Sequence, residues 1–262
     1  MSLRSASQVT EFARCPRSFA LKRHEGAPQL PAPWAGHGSA GHHALLDVWE
    51  ANGRTHTASE VQEAFVSKFR EYIAEYDQRE PDRSLWLRGG RKSTDRDIAD
   101  REALGIEQVA NYMQYVTTEG LEPWEIDGRP AVELPFKINI GEGLFGEPII
   151  VRGFIDALYR DVNWVPLVRD LKFGKRPAWD FQLWMYGIAV REEYDIDVEY
   201  GDFFLCKENA PTNPVELLKM PDEEVLDLVI KMDAADMIGY YNPNPGEACR
   251  TCDVQRSCKF FA

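Results

Sequence analysis

Val151–Lys175, VRGFIDALYRDVNWVPLVRDLKFGK, decides how this chain is read. Ile149, Ile150 and Val151, followed by Phe154, Ile155 and Ala157, form one apolar run; Trp164, Val165, Leu167 and Val168 form a second. Arg160, Asp161 and Asn163 supply a polar turn between them, so the stretch predicts two short strands joined as a hairpin. Each run carries an acid where an apolar residue is expected: Asp156 in the first and Asp170 at the end of the second, with Lys172 two residues on. Alternation along a strand sets Asp170 and Lys172 on one face, and a hairpin brings Asp156 within reach of it. Charge on a partly buried face is costly unless it is paired or bound to a metal. The group is therefore either a salt-bridge cluster at a sheet end or a site for Mg²⁺ or Mn²⁺, hard ions suited to carboxylates. In the second case the lysine would hold a phosphate and help orient or deprotonate a water. These residues alone leave both readings open.

The chain has 262 residues, enough for a sizeable core within one domain. No apolar run approaches the roughly 20 residues of a membrane span, and MSLRSASQVTEFARC at the N-terminus has no apolar signal core. The expectation is a cytoplasmic protein without membrane contact. The formal net charge of −13 argues against coating nucleic acid through a broad basic surface, but not against a local basic groove. Basic residues gather at Arg14, Arg17, Lys22 and Arg23, at Arg83, Arg88, Arg91 and Lys92, and at Arg169, Lys172, Lys175 and Arg176. Each cluster taken singly reads as a solvated face.

Along the chain, apolar spacing predicts a helix from Ser5 to about His24 interrupted at Cys15-Pro16, a loop over Gly26–Gly38, and helices over Ser39–Trp49, Ser59–Tyr76 and Asp97 to about Thr118. Asp77–Asp97 reads as a loop. A strand is expected over Ala131–Ile140 and a hairpin turn over Gly141–Pro148, before the central hairpin. A helix follows over Ala178–Tyr194, then strands over Val198–Cys206 and Val215–Lys219, and a helix from Pro221 to about Tyr240. The pattern implies an α+β fold, with a mixed, mostly antiparallel sheet between helices.

Three of the five cysteines, Cys249, Cys252 and Cys258, crowd into a short tail that cannot form a core by itself. Thiolates so close point to a metal or cluster rather than to disulfides. Cys15, beside a proline at a helix irregularity, is the candidate fourth ligand; Cys206, in a strand pattern, is the weaker one. Four cysteines admit either zinc or a [4Fe–4S] cluster. Elsewhere, Gly38-Ser39-Ala40-Gly41-His42-His43 sets histidines on an early helix behind small residues, and imidazole is an acceptable additional ligand for Mn²⁺. His24, His37 and His56 read as surface or satisfied residues. Gln182 and Tyr186 lie four apart on one helix face, either as ordinary packing or as hydrogen-bonding partners near Lys172.

These elements in this order resemble the PD-(D/E)xK nuclease superfamily, and within it the RecB-like branch that carries an iron–sulfur cluster, with the AddB nuclease domain and CRISPR-associated exonucleases. Ser5-Ala6-Ser7-Gln8-Val9 with Phe12 and Cys15-Pro16-Arg17 is similar to that branch's opening motif, and Gly38-x3-His42-x2-Leu45 to its histidine motif. Gly153-Phe154-Ile155-Asp156 and Asp170-Leu171-Lys172, followed by Gly174-Lys175, are similar to its acid motifs. Gln182-x3-Tyr186 is similar to its glutamine helix, and Cys249, Cys252 and Cys258 to its C-terminal triplet. No proline precedes Asp156, and His43 stands beside His42; both depart from the branch's pattern.

The resemblance implies a restriction-endonuclease-like core at about 130–207, within a single RecB-like domain spanning 1–262. Cluster-binding segments at about 1–25 and 243–262 would join the two termini at four cysteines. It implies a metal-dependent deoxyribonuclease, an exonuclease acting on DNA that is single-stranded or end-containing, in recombination, repair or CRISPR-type processing. His42, Asp156, Asp170 and the Leu171 carbonyl would hold Mg²⁺ or Mn²⁺; Lys172, Gln182 and Tyr186 would serve the chemistry; Cys15, Cys249, Cys252 and Cys258 would hold the [4Fe–4S] cluster, with zinc as the alternative. Trp34 or Trp86 would stack on an unpaired strand. The alternative is a non-catalytic DNA-binding or assembly subunit with a recombination or CRISPR protein partner.

Overall fold

The computed structural model describes residues 1–261. In chain order the helices are α1 (Ala6–Arg14), α2 (Pro16–Arg23), α3 (Pro33–His42), α4 (Ala58–Arg79), α5 (Thr94–Glu119), α6 (Phe181–Tyr194) and α7 (Asp222–Met237). The strands are β1 (Ser2–Arg4), β2 (Glu122–Pro123), β3 (Glu125–Ile126), β4 (Arg129–Pro130), β5 (Val132–Glu142), β6 (Pro148–Arg160), β7 (Pro166–Lys172), β8 (Tyr200–Leu205), β9 (Ala210–Pro211) and β10 (Val215–Glu216). All but β3 and β4 join one mixed sheet, flanked by helices on both faces.

β6 is the strand the sheet is built on. β5 runs antiparallel along one edge from Val132–Ala157 to Asn139–Ile150. The other edge is shared: β7 pairs antiparallel with Ala157–Arg160, and β1 pairs parallel with Ile149–Val151. β7 then pairs parallel with β8 over Leu167–Lys172. The predicted hairpin is therefore present, except that Trp164 and Val165 belong to its exposed turn rather than to the second strand. Asp161 closes that turn by accepting from the backbone N–H groups of Asn163 and Val165.

One core lies under α1, α2, α6 and α7 and takes Leu134, Phe136 and Ile138 from β5 and Val151 and Ile155 from β6. The second lies under α3, α4 and α5 and takes Val132, Ala157, Tyr159 and Leu171. Strand alternation would send Val132 and Leu134 to the same side. They go to opposite cores, as do Ile155 and Ala157, so both strands reverse phase at the step between them. Glu133 sits at that step in the left-handed backbone region, φ 45°. A non-glycine residue there is strained, and such strain concentrates at functional sites.

The chain from Gly26 to Gly38 is not all loop: α3 begins at Pro33, with proline at a first-turn position where its missing N–H costs nothing. Its glycine and alanine content reflects close approach rather than turn formation, because Gly36 lies against Tyr72 and Ala40 is fully buried. From His43 to Glu50 the helix widens to π geometry. The Asp77–Asp97 connection contains a short 3-10 turn, Arg83–Leu85. The basic clusters are largely neutralised: Arg17 pairs with Glu25, Lys22 with Glu11 and Asp253, Arg83 with Asp77 and Asp95, and Arg169 with Asp202.

Gly41 is the tightest point of α3 against the sheet. A Cβ there would stand 2.1 Å from the ring of Phe173, just beyond Lys172. Gly41→Ala is expected to destabilise the protein by about 1–3 kcal/mol through overpacking, measured by denaturant unfolding, whereas Gly38→Ala, with nothing within 4 Å of its Cβ position, is expected to be tolerated.

Candidate active site

β6 and β7 stop pairing after the Ala157–Arg169 rung. The next residues, Asp156 and Asp170, flank the opening. The peptide of Leu171, freed from β6, is used twice: its N–H donates to Asp156 Oδ2 at 2.8 Å, and its carbonyl contacts His42 Nε2 at 2.9 Å. A carbonyl only accepts, so Nε2 carries the proton. Burial lowers the pKa of His42, favouring the neutral ring, so Nδ1 bears a lone pair. That Nδ1 lies 3.5 Å from Asp156 Oδ2. Two acceptors aimed at one another repel unless a proton or cation stands between them.

Glu133, across from Asp156 on β5, completes the group. One ligand atom from each of His42, Glu133 and Asp156 lies within 4.8 Å of the others. Burial first and Asp156 second push Glu133 up to about 7. Burial pushes Asp156 up to about 6, opposed by Lys172 and the Leu171 N–H. Asp170, fully buried, is pushed up to about 7 by burial and by Asp156. It forms an ion pair with Lys172, yet neither of its oxygens receives an aligned hydrogen bond. An imidazole lone pair and three carboxylates with unmet acceptor capacity fit a hard divalent cation.

The sequence-derived residues mostly converge. His42 and Asp156 belong to the three-donor group; Asp170 stands beside it, held to Lys172. The Leu171 carbonyl already bonds His42 and has one further lone pair. Lys172 Nζ donates to Gln182 Oε1 at 3.0 Å, and Gln182 Nε2 donates to the Tyr186 hydroxyl at 2.7 Å, so α6 fixes the ammonium through a relay. His43 turns away to Asp47, which removes the ambiguity between the tandem histidines. His37 is a satisfied core residue between Gln108 and the Arg101 carbonyl. Glu133 was not anticipated: it occupies a polar phase of an alternating strand, where an acid reads as solvated.

One expectation needs correction. Trp86 is buried, its indole N–H bonded to the Glu80 carbonyl, so it does not stand free for stacking; Trp34 is partly buried against Leu30, Ala32 and Leu87. Cys15, Cys249, Cys252 and Cys258 line one pocket between the α1–α2 break and the C-terminal tail, but among the described residues no three of their sulfurs come within 4.8 Å of one another. They do not form a compact single-ion ligand set. Cys206 is buried in the second core.

The profile of the PD-(D/E)XK nuclease superfamily matches residues 4–259, and the chain belongs to that superfamily. It is 32% identical over 270 residues to the Gene 69 protein of Mycobacterium phage D29, covering 100% of this chain and 98% of that protein. It is 32% identical over 290 residues to the Gene 69 protein of Mycobacterium phage L5, covering 100% and 97%. Among solved structures it matches the crystal structure of SSO0001 with 14% identity and a TM-score of 0.45, over 98% of this chain and 86% of that one.

The three raised carboxyl groups bind protons in the fold that the unfolded chain releases, so their favourable contribution, complete below about pH 4, is lost as pH rises through 6 to 7. A divalent cation takes the place of those protons. The thermal stabilisation given by Mn²⁺ is therefore expected to be larger at about pH 8 than at about pH 6. Glu133→Gln is expected to weaken Mn²⁺ binding by roughly tenfold or more, read by calorimetry, since one charge at contact distance is worth several kcal/mol. Equal stabilisation at both pH values would refute the assignment.

Proposed function

We propose that this chain is a metal-dependent DNA nuclease of the RecB-like branch, an exonuclease on single-stranded ends. The observation that carries the reading is the convergence of His42, Glu133 and Asp156 beside a buried Asp170 whose oxygens lack aligned donors. Bound Mg²⁺ or Mn²⁺ would polarise the scissile phosphate and lower the pKa of an attacking water. His42 offers Nδ1 because its other nitrogen is tied to Leu171; Glu133, Asp156, Asp170 and the free lone pair of the Leu171 carbonyl supply oxygen. Lys172, held by Asp170 and Gln182, orients the water and meets the charge that develops on the phosphate. Tyr186 keeps Gln182 turned toward Lys172.

The proposal extends to a [4Fe–4S] cluster on Cys15, Cys249, Cys252 and Cys258, with a structural role. Backbone N–H groups of Asn244 and Gly246 already point at Cys15 Sγ and Cys249 Sγ, both at 3.5 Å. Four thiolates on one zinc, with bonds near 2.3 Å, would bring the sulfurs to about 3.8 Å from one another. That no three of these sulfurs lie within 4.8 Å of one another among the described residues supports a larger polynuclear centre over a single zinc.

Lys172→Ala is expected to lower the turnover of end-labelled DNA by about 10²–10³, and Asp170→Asn by at least as much, with thermal stability retained in the former. Undiminished cleavage by either variant refutes the catalytic assignment. Strand binding without cleavage in any metal would move the reading to a DNA-binding subunit. Anaerobically purified protein is expected to be brown and to contain iron and acid-labile sulfide; colourless, zinc-loaded protein refutes the cluster.

A further inference from the structure

The register of β5 against β6 lays out a row of residue pairs leading away from the carboxylates. After Glu133 and Asp156 comes Pro135 opposite Phe154, and then Lys137 opposite Arg152. The alternate residues Leu134, Phe136, Ile155 and Val151 face the core under α6, so this row stands on the other face of the sheet. The helices α3, α4 and α5 cover that face beside the acids, but not over the row: Pro135, Lys137 and Arg152 are exposed, and Phe154 is 58% exposed. With Leu3 and Arg4 of β1 and Ser5 and Gln8 at the start of α1, they line an open groove of about 540 Å³.

Two features of the row point to a ligand. Lys137 and Arg152 are like charges directly opposite in an antiparallel pair, which is destabilising by itself. In a chain of net charge −13, whose basic clusters are largely neutralised by acids, neither has a carboxylate within 4.0 Å among the described residues. Phe154 presents a bare ring between this basic pair and the acids. A flat aromatic face offers nothing to the phosphate exterior of a duplex, but it stacks on an unpaired base. Along the strand Phe154 and Arg152 lie about 7 Å and about 14 Å from Asp156.

We propose that this row is the track for a single strand of DNA, with Phe154 stacking a base next to the scissile phosphate and Lys137 with Arg152 binding a phosphate further along. The inference rests on the nuclease reading for its direction, and it assigns the single-strand preference to residues outside the carboxylate site. The strand runs over the β5–β6 face, through the gap left by the covering helices.

The test compares wild type with Phe154→Ala and with the Lys137→Gln/Arg152→Gln double variant. Binding of a fluorescent oligothymidylate is measured in EDTA, and hydrolysis is measured with Mn²⁺ on that oligonucleotide and on bis(p-nitrophenyl) phosphate, a diester too small to reach the track. Phe154→Ala is expected to weaken strand binding about tenfold. The double variant is expected to lower the slope of log affinity against log salt by about 0.7, for one lost phosphate contact. Both variants are expected to hydrolyse the small diester at the wild-type rate. An oligonucleotide with one abasic position is expected to erase the difference between wild type and Phe154→Ala. Unchanged strand binding in both variants overturns the track, as does equal affinity of wild type for single strand and duplex. Wild type that binds the strand but hydrolyses neither substrate overturns the nuclease reading alone; weakened binding by the variants would then still support the track.

Discussion

The carboxylate end of this molecule depends on one small divergence. β6 and β7 separate after Ala157–Arg169, and the peptide of Leu171 loses its place in the ladder on that side. A buried peptide must find partners elsewhere, and here it finds them in side chains. Asp156 takes its N–H and His42 takes its carbonyl. The Leu171 side chain meanwhile sits in the second core. A residue with no reactive group thus fixes the orientation of two that have one. Had the two strands continued to pair, the peptide would have been satisfied by backbone, and Asp156 and His42 would have had no common reference.

That geometry concentrates negative charge where the fold can least afford it. Burial raises the proton affinity of Asp156, Asp170 and Glu133, and Asp156 raises that of the other two further. Lys172 offsets one charge, and its attachment to Gln182 keeps it from closing over both acids. The backbone strain at Glu133 belongs to the same arrangement. By reversing the phase of β5 between Val132 and Leu134, it lets one strand serve two cores and turn a carboxylate toward the gap.

The legible part of the site in the sequence was the part that violated a local rule. Asp156 and Asp170 stood out because they interrupt apolar runs, and Lys172 followed by alternation. Gln182 and Tyr186 followed because a helix places residues four apart together. Glu133 obeyed the local rule, an acid in the polar phase of a half-buried strand, and only its register against Asp156 and its φ mark it out. The same held for Phe154, one of several aromatics in an apolar run until the partial cover of that face is known. The start of α3 reads as loop in the sequence because glycine, alanine and proline signal turns locally, while in the fold they permit contact with Tyr72 and Phe173, which lie far away in sequence. Three cysteines in a short tail mark a candidate ligand set, but the distances between their sulfurs are a tertiary property.

The cysteine end and the carboxylate end are joined through β1. The tail is tied to α1 and α2 by more than its thiols: Asn244 donates to the Arg14 carbonyl, Arg17 N–H to the Asn242 carbonyl, and Lys22 pairs with Asp253. α1 follows directly from β1, whose Arg4 is anchored to Asp233 and Asp236 of α7. β1 in turn holds the edge of β6 at Ile149–Val151, just before Arg152 and Phe154. Loosening the tail therefore reaches the exposed row on β6 before it reaches Asp156, which is held independently through Leu171. A cluster at the cysteines would stabilise the groove wall first and the carboxylates second. Under the proposed reading, a structural centre at the cysteines would act on how a strand is held rather than on how a phosphate is cleaved.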